Sequence, residues 1–207
     1  MYSNSTGIRY NIDMDILATD QNFLYWLNNA ILGKSAVVDC VFVFLGVYLI
    51  YALPIIMLTL WFVYPKKRVP LTLAFFACLV SWLLITKFVV PNYIWFRPRP
   101  DLGLIGLKEV IFHRPSYSFP SDHATALFAI TFGLCAFGWK KAGSWFLLYT
   151  LLILIPRVVI GIHFPLDIIG GVLSGAVGVL LIYSCRDFLA KNVVKPIEKI
   201  LKKVWLA

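Results

Sequence analysis

Two short stretches of this chain place histidines, arginines and acids where they could handle an anion. In the first, Arg157 is followed after five residues by His163 and after three more by Asp167. The run His163-Phe164-Pro165-Leu166-Asp167 reads as a helix start. Proline suits the first helical position, and an acid in the first turn suits the positive end of the helix dipole. Asp167 could then reach back to the His163 ring. A carboxylate on Nδ1–H would fix the tautomer and leave Nε2 free as a nucleophile or base. The plainer alternative for Asp167 is a simple N-terminal helix charge. The second stretch, Phe119-Pro120-Ser121-Asp122-His123, also opens a helix. Ser121 can cap it, and the free backbone N–H groups of Asp122 and His123 suit phosphate.

Arginines add to the pattern. Arg97 and Arg99 alternate with Pro98 and Pro100, which stiffen their presentation. Guanidinium groups bind phosphate through paired donors. Arg157 stands just past the apolar run Phe146 to Ile155. A charge deep in a bilayer costs about 2.5–3.5 kcal/mol on insertion scales, so Arg157 either faces a polar interior or snorkels to the headgroups. Each piece alone is weak. Arg-Pro, Pro-Ser-x-His and Arg-x5-His-x3-Asp together hold eight fixed positions in order. Chance would supply that on the order of once in a few thousand such chains.

The elements that must carry these residues are written in the composition. The 207 residues are 60% hydrophobic and only 14% charged, which calls for lipid as solvent. Five apolar segments are long enough to span: Ala36–Tyr64 with a kink at Pro54, Val69–Val90, Asp122–Trp139, Gly143–Ile162 and Pro165–Cys185. The expected fold is therefore an all-α integral membrane bundle of five to six transmembrane helices. Residues 14–33 repeat Phe23, Leu24, Leu27 and Ile31 at helical spacing, interrupted by Asp20, Asn28 and Asn29. That pattern fits an amphipathic helix on the membrane surface, a packed cap or a short sixth membrane helix. Residues 1–207 read as a single domain, with 1–35 an interfacial N-terminal segment and 186–207 a basic tail. Four cysteines lie in or beside apolar runs with no Cys-x-x-Cys pair, as small buried hydrophobes do.

The net charge of +9 could suggest nucleic acid, but the charge falls in patches between apolar runs, and no nucleic-acid partner is expected. The loop after the first span, the loop after the third and the tail share a face. They hold eleven basic residues (Lys66, Lys67, Arg68, Lys140, Lys141, Arg186, Lys191, Lys195, Lys199, Lys202 and Lys203) against Asp187 and Glu198. The positive-inside rule puts that face, with the C-terminus, in the cytoplasm. His123, His163 and the arginines then meet on the outer side of a multi-pass cell-membrane protein.

These motifs resemble those of the type 2 phosphatidic acid phosphatase (PAP2) superfamily: Lys-x6-Arg-Pro, Pro-Ser-Gly-His and Ser-Arg-x5-His-x3-Asp. The resemblance covers about residues 82–171. The Pro-Arg-Pro, Phe-Pro-Ser-Asp-His and His-Phe-Pro-Leu-Asp wording looks most like the bacterial undecaprenyl-diphosphatases of the BcrC type. Asp39 is similar to an aspartate of that branch. Three positions depart from the pattern. Seven before Arg99 stands Asn92 and seven before Arg97 stands Val90, so the first-motif lysine is missing or displaced to Lys87. Asp122 replaces a glycine, and Pro156 replaces a serine.

The resemblance implies a membrane phosphatase acting on a lipid phosphate or diphosphate. His163 would be the nucleophile, Asp167 would orient its ring, and His123 would be the general acid and base. Arg99, Arg157, Ser121 and the backbone at Asp122 would hold the phosphate, with Arg97 adding charge in place of the lost lysine. No metal or other cofactor is expected, since the motifs lack the carboxylate cluster of a two-metal phosphatase. Undecaprenyl diphosphate is the favoured substrate, with phosphatidylglycerophosphate, phosphatidic acid and lipid A as alternatives. A transporter of phospholipids or lipid phosphates, using the same arginines without cleavage, is the alternative from another class.

Overall fold

The computed structural model describes residues 14–95, 97–103, 107–111 and 116–203. The first thirteen residues of the expected N-terminal segment and the last four of the basic tail lie outside the described residues. Among those described, the regular elements are helices. They are α1 (Met14–Ile31), α2 (Ala36–Val63), α3 (Pro65–Ile94), α4 (Asp122–Ala136), α5 (Lys140–Val159), α6 (Pro165–Ser184) and, in the tail, α7 (186–203). Four of them, α2, α3, α5 and α6, are long and apolar enough to cross a membrane.

The third expected span ends earlier than its apolar pattern suggested. Its helix, α4, has 15 residues and stops at Ala136 rather than Trp139. The stop is a Schellman turn. Gly138 adopts φ +96, and Trp139 N–H reaches back to Leu134 O at 2.7 Å. A helix of about 22 Å is short for a bilayer, but α4 is the hub of the bundle and does not need to match the lipid. Leu71, Ala74 and Cys78 of α3, Ala129, Ile130 and Leu134 of α4, and Ala142 and Phe146 of α5 form one core cluster. Leu73 and Ala77 of α3 meet Val179 and Ile182 of α6 in another. Leu148, Leu152 and Ile155 of α5 and Leu173, Leu180 and Leu181 of α6 point outward, as lipid-facing residues do.

Helix α6 approaches α4 through glycines. A Cβ on Gly175 would meet Ala129 N at 2.9 Å, and one on Gly171 would meet Thr125 N at 2.9 Å. Such small-residue contacts let backbones close up where lipid gives no hydrophobic drive between helices. Two helices are irregular. In α2 a π turn over Phe44–Tyr48 passes into a 3-10 turn over Leu49–Ala52 just ahead of Pro54. In α3 the stretch Val80–Ile94 is π-helical and contains Pro91. Proline cannot donate to the carbonyl four residues back, here that of Lys87, and its ring crowds that oxygen, so the helix widens.

The N-terminal helix is a packed cap, one of the three arrangements its pattern allowed. Asp20, Leu24 and Asn28 are buried against the bundle, while Ile16, Phe23 and Trp26 face away. Asn28 Nδ2 donates to Val159 O at 2.9 Å, and its Oδ1 accepts from Lys108 N at 3.3 Å.

Candidate active site

His163 is positioned by a helix end and a helix start only a few residues apart. Helix α5 closes with a second Schellman turn, in which Gly161 takes φ +75 and Ile162 N–H bonds Arg157 O at 3.0 Å. Pro165 then opens α6, and Asp167, in its first turn, accepts the Phe164 N–H on Oδ2 at 2.8 Å. The same Oδ2 lies 3.4 Å from His163 Nδ1 and accepts the Ser118 hydroxyl. Ser118 Oγ is itself 3.5 Å from His163 Nδ1. The ring is held through Nδ1, while Nε2 is buried and has no hydrogen-bond partner among the described residues. Burial pushes the imidazole down to about 4, against the opposing pull of Asp167. It is therefore neutral at physiological pH, as a nucleophile must be.

Ser118 was not singled out in the sequence. Two extended segments bring it in. Ser118 N–H bonds Arg97 O at 2.6 Å, Arg99 N–H bonds Ser116 O at 3.2 Å, and Pro98 faces Tyr117. A residue before proline is steered toward extended backbone, so Arg97-Pro98-Arg99-Pro100 was the available signal for such a ladder. Alternation then sends Arg97 and Arg99 to one side of their strand, and Ser116 and Ser118 to one side of theirs.

The second helix start lies beside the first. Ser121 N–H donates to Asp167 O at 3.0 Å, and Ser121 Oγ caps α4 by accepting Ala124 N–H at 3.4 Å. The N–H groups of Asp122 and His123, in the first turn, point out of the helix without intrahelical partners. The positive charges of Arg157, Arg99 and Lys87 all bear on the His123 ring. Two of the three expected arginines converge there. Arg99 is fixed by Ser116 Oγ at 2.7 Å and Ile162 O at 3.1 Å, and its burial lowers its pKa from the usual guanidinium range. Arg157 spends NH1 on Gly46 O at 2.5 Å, from the irregular stretch of α2, and its buried Nε has no partner among the described residues.

Arg97 departs from its expected place on the phosphate. Its NH1 lies 3.3 Å from Asp167 Oδ1 and its NH2 2.6 Å from Asp20 Oδ2, with the guanidinium carbon 3.6 Å over the Phe164 ring. With both terminal nitrogens on carboxylates, Arg97 sits behind the His163–Asp167 pair. Asp20, read in the sequence only as an interruption of α1, also accepts Leu166 N–H on Oδ1 at 2.9 Å. Burial raises its pKa, and the Leu166 N–H and Arg97 pull it back.

Lys87, the candidate for the displaced lysine, lies beside Asp122. Lys87 Nζ lies 2.5 Å from Asp122 Oδ2 and 5.0 Å from the Tyr117 ring centroid. Asp122 thus brings a carboxylate as well as its backbone N–H. Asp39, the remaining aspartate noted in the sequence, accepts Gly33 N–H at 2.9 Å and stays near the α1–α2 turn.

Comparison with known proteins follows the same lines. The model of the PAP2 superfamily matches residues 69–191. A Bacillus licheniformis protein named bacitracin transport permease protein BcrC is 31% identical over 156 residues, covering 73% of this chain and 74% of that one. The Bacillus subtilis undecaprenyl-diphosphatase BcrC is 28% identical over 187 residues, covering 87% and 94%. Among solved structures, Aquifex aeolicus LpxE superposes with a TM-score of 0.62 at 22% identity, covering 84% of this chain and 99% of that one, a likeness of fold.

Proposed function

Since this chain belongs to the PAP2 superfamily and is a multi-pass membrane phosphatase acting on lipid phosphates, we propose that it removes the terminal phosphate of a lipid diphosphate. Undecaprenyl diphosphate, converted to the monophosphate during recycling of the cell-wall lipid carrier, is the favoured substrate. The observation that carries this reading is the state of His163: Nδ1 faces Asp167 and Ser118, and Nε2 is buried without a partner among the described residues.

In the first step His163 Nε2 forms a bond to the terminal phosphorus as the bridging P–O bond breaks. The leaving lipid phosphate oxygen takes a proton from His123. In the second step His123 takes a proton from water, whose oxygen bonds to phosphorus as the N–P bond breaks, and inorganic phosphate departs. Arg99, the free Nε of Arg157, Ser121, Lys87 and the N–H groups of Asp122 and His123 hold the equatorial oxygens as charge builds. Asp167 steadies the positive charge that develops on the phosphorylated ring. The basic loops and tail support an outward-facing site and a cytoplasmic C-terminus. A lipid diphosphate would keep its head at that interface and its tail among the helices.

The test uses purified protein and a lipid diphosphate labelled in its terminal phosphate. His163→Ala abolishes phosphate release and labelling of the protein. His123→Ala slows turnover by about 10²–10⁴-fold and accumulates acid-labile label on His163, because a lipid phosphate leaves readily while water still needs a base. Release that survives both substitutions refutes the mechanism. Parallel assays with phosphatidylglycerophosphate, phosphatidic acid and lipid A decide the substrate. The permease name of the Bacillus licheniformis relative supports a second reading, transport of a phosphorylated lipid. Headgroup transport by the His163→Ala protein would favour it.

A further inference from the structure

We propose that Asp20 makes the N-terminal helix part of the active site: by taking one arm of the Arg97 guanidinium, it leaves Asp167 free to serve His163. The inference rests on the phosphohistidine reading above, and concerns how the nucleophile is held.

Three charged groups stand in a row behind His163. Asp20 Oδ2 is 2.6 Å from Arg97 NH2, and Arg97 NH1 is 3.3 Å from Asp167 Oδ1. All three residues are buried, Asp20 at 5% exposure, Arg97 at 7% and Asp167 at 0%. Buried ions are costly and are a poor device for stability alone. Beyond the bond from Leu166 N–H to Asp20, α1 has other anchors, since Leu24 packs with Leu102, Val158 and Phe164, and Asn28 bonds Val159 and Lys108. The charge on Asp20 therefore calls for another explanation.

Its geometry supplies one. An arginine facing a single carboxylate prefers a two-pronged pair in which both oxygens accept. Here the shorter charge contact, not aligned as a hydrogen bond, goes to Asp20, and Arg97 donates to Asp167 through Oδ1 alone. Asp167 Oδ2 is left for Phe164 N–H, the Ser118 hydroxyl and His163 Nδ1. The stacked Phe164 ring, 3.6 Å from the guanidinium carbon, keeps Arg97 in place between the two acids. Without the Asp20 charge, Arg97 would swing fully onto Asp167, draw Oδ2 away from the imidazole and neutralise the carboxylate when the phosphorylated ring needs it. Asp20 touches no reacting atom. It is a positioning residue, and its loss should act on the chemical step rather than on lipid binding.

The experiment compares Asp20→Asn, the double variant Asp20→Asn/Arg97→Gln, and Asn28→Ala as a control that loosens α1 away from the network. Asparagine is nearly isosteric and keeps an acceptor for Leu166 N–H. Asp20→Asn is expected to lower kcat tenfold to a hundredfold with KM within twofold of the parent. Removing Arg97 as well frees Asp167 again, and the double variant is expected to regain at least half of that loss on a logarithmic scale. Asn28→Ala is expected to lower the unfolding temperature while leaving kcat unchanged below it. An unchanged kcat in Asp20→Asn, a change in KM alone, or a double variant no better than the single would overturn the proposal. So would a fall in kcat for Asn28→Ala matching that of Asp20→Asn. If Asp20→Asn does not fold, the double variant, which buries no unpaired charge from this pair, still decides: near-parental kcat supports the proposal and a hundredfold loss overturns it. His163→Ala runs alongside, because full activity there refutes the phosphohistidine mechanism itself, whereas an inactive His163→Ala beside an unaffected Asp20→Asn refutes only the role of Asp20.

Discussion

Ser121 N–H donates to the carbonyl oxygen of Asp167 at 3.0 Å, tying the first turn of α4 to the first turn of α6. His123 lies two residues beyond one end of this bond, and His163 four residues before the other. Two helix N-termini, each favouring negative charge, are thereby brought side by side. The bond requires α4 and α6 to approach with no side chains between them, which Gly171 and Gly175 permit.

Replacing Gly175 with valine should separate the two histidines without touching either. The nearest atoms to a new Cβ belong to the backbone of Ala129 and Thr125, at 2.9 and 3.1 Å, and cannot rotate away. Overpacking of this kind costs about 1–3 kcal/mol. Thermal unfolding in detergent should register that loss, and phosphate release should fall at least tenfold in protein that is still folded.

The ionisation of His163 should lie far below that of an exposed histidine. Its pKa is about 4 in the folded protein, against 6.5 for the free side chain. Between those values the unfolded chain binds more protons than the folded one, so this group costs stability as pH falls from 6.5 toward 4 and has no effect above 6.5. Histidine-selective ¹⁵N NMR, assigned with His163→Gln, should show a neutral ring at pH 6. A ring titrating near 6.5 would contradict the structure.

Arg157→Lys should be a severe change. The arginine holds Gly46 O with NH1 and keeps Nε in reserve, and an ammonium group cannot be in both places. Loss of one donor to a developing oxyanion costs about 10²–10³ in kcat. Steady-state kinetics should show that fall, with unfolding temperature little changed.

Lys87 and Asp122 should be energetically coupled. Lys87→Met leaves the Asp122 carboxylate facing the incoming phosphate, so KM should rise. Adding Asp122→Asn should recover part of the loss, giving a coupling of about 0.5–3 kcal/mol in kcat/KM. Additive effects would mean that the 2.5 Å contact between them has no bearing on the reaction.

Much of this arrangement was legible in the residues. The helix starts at Asp122 and Pro165, the apolar runs of α2, α3, α5 and α6 and the basic patches between them follow from local pattern, which sequence carries directly. The extent of α4 was overestimated because Phe137 and Trp139 continue the apolar pattern while Gly138 breaks the backbone. Arg97 was assigned to phosphate because its own neighbours cannot reveal two acids, Asp20 and Asp167, that lie 77 residues before it and 70 after it. Ser118 was missed for the same reason, as a serine in a loop gains meaning only once the Arg97–Arg99 segment pairs with it. Lys87 stands outside the family spacing, and its place beside Asp122 emerges only when α3 packs against the start of α4.

The unequal lengths of α4 and α5 have a further consequence. The two helices, of 15 and 20 residues, are joined by a tight turn at one end, so the whole difference appears at the other. At 1.5 Å per residue that is a step of roughly 7 Å. Leu24 and Asn28 of α1 rest on that extra turn and a half of α5, at Val158 and at the carbonyl of Val159. Lengthening or trimming α5 at that end would therefore move the seat of α1, and with it Asp20, relative to the two helix starts.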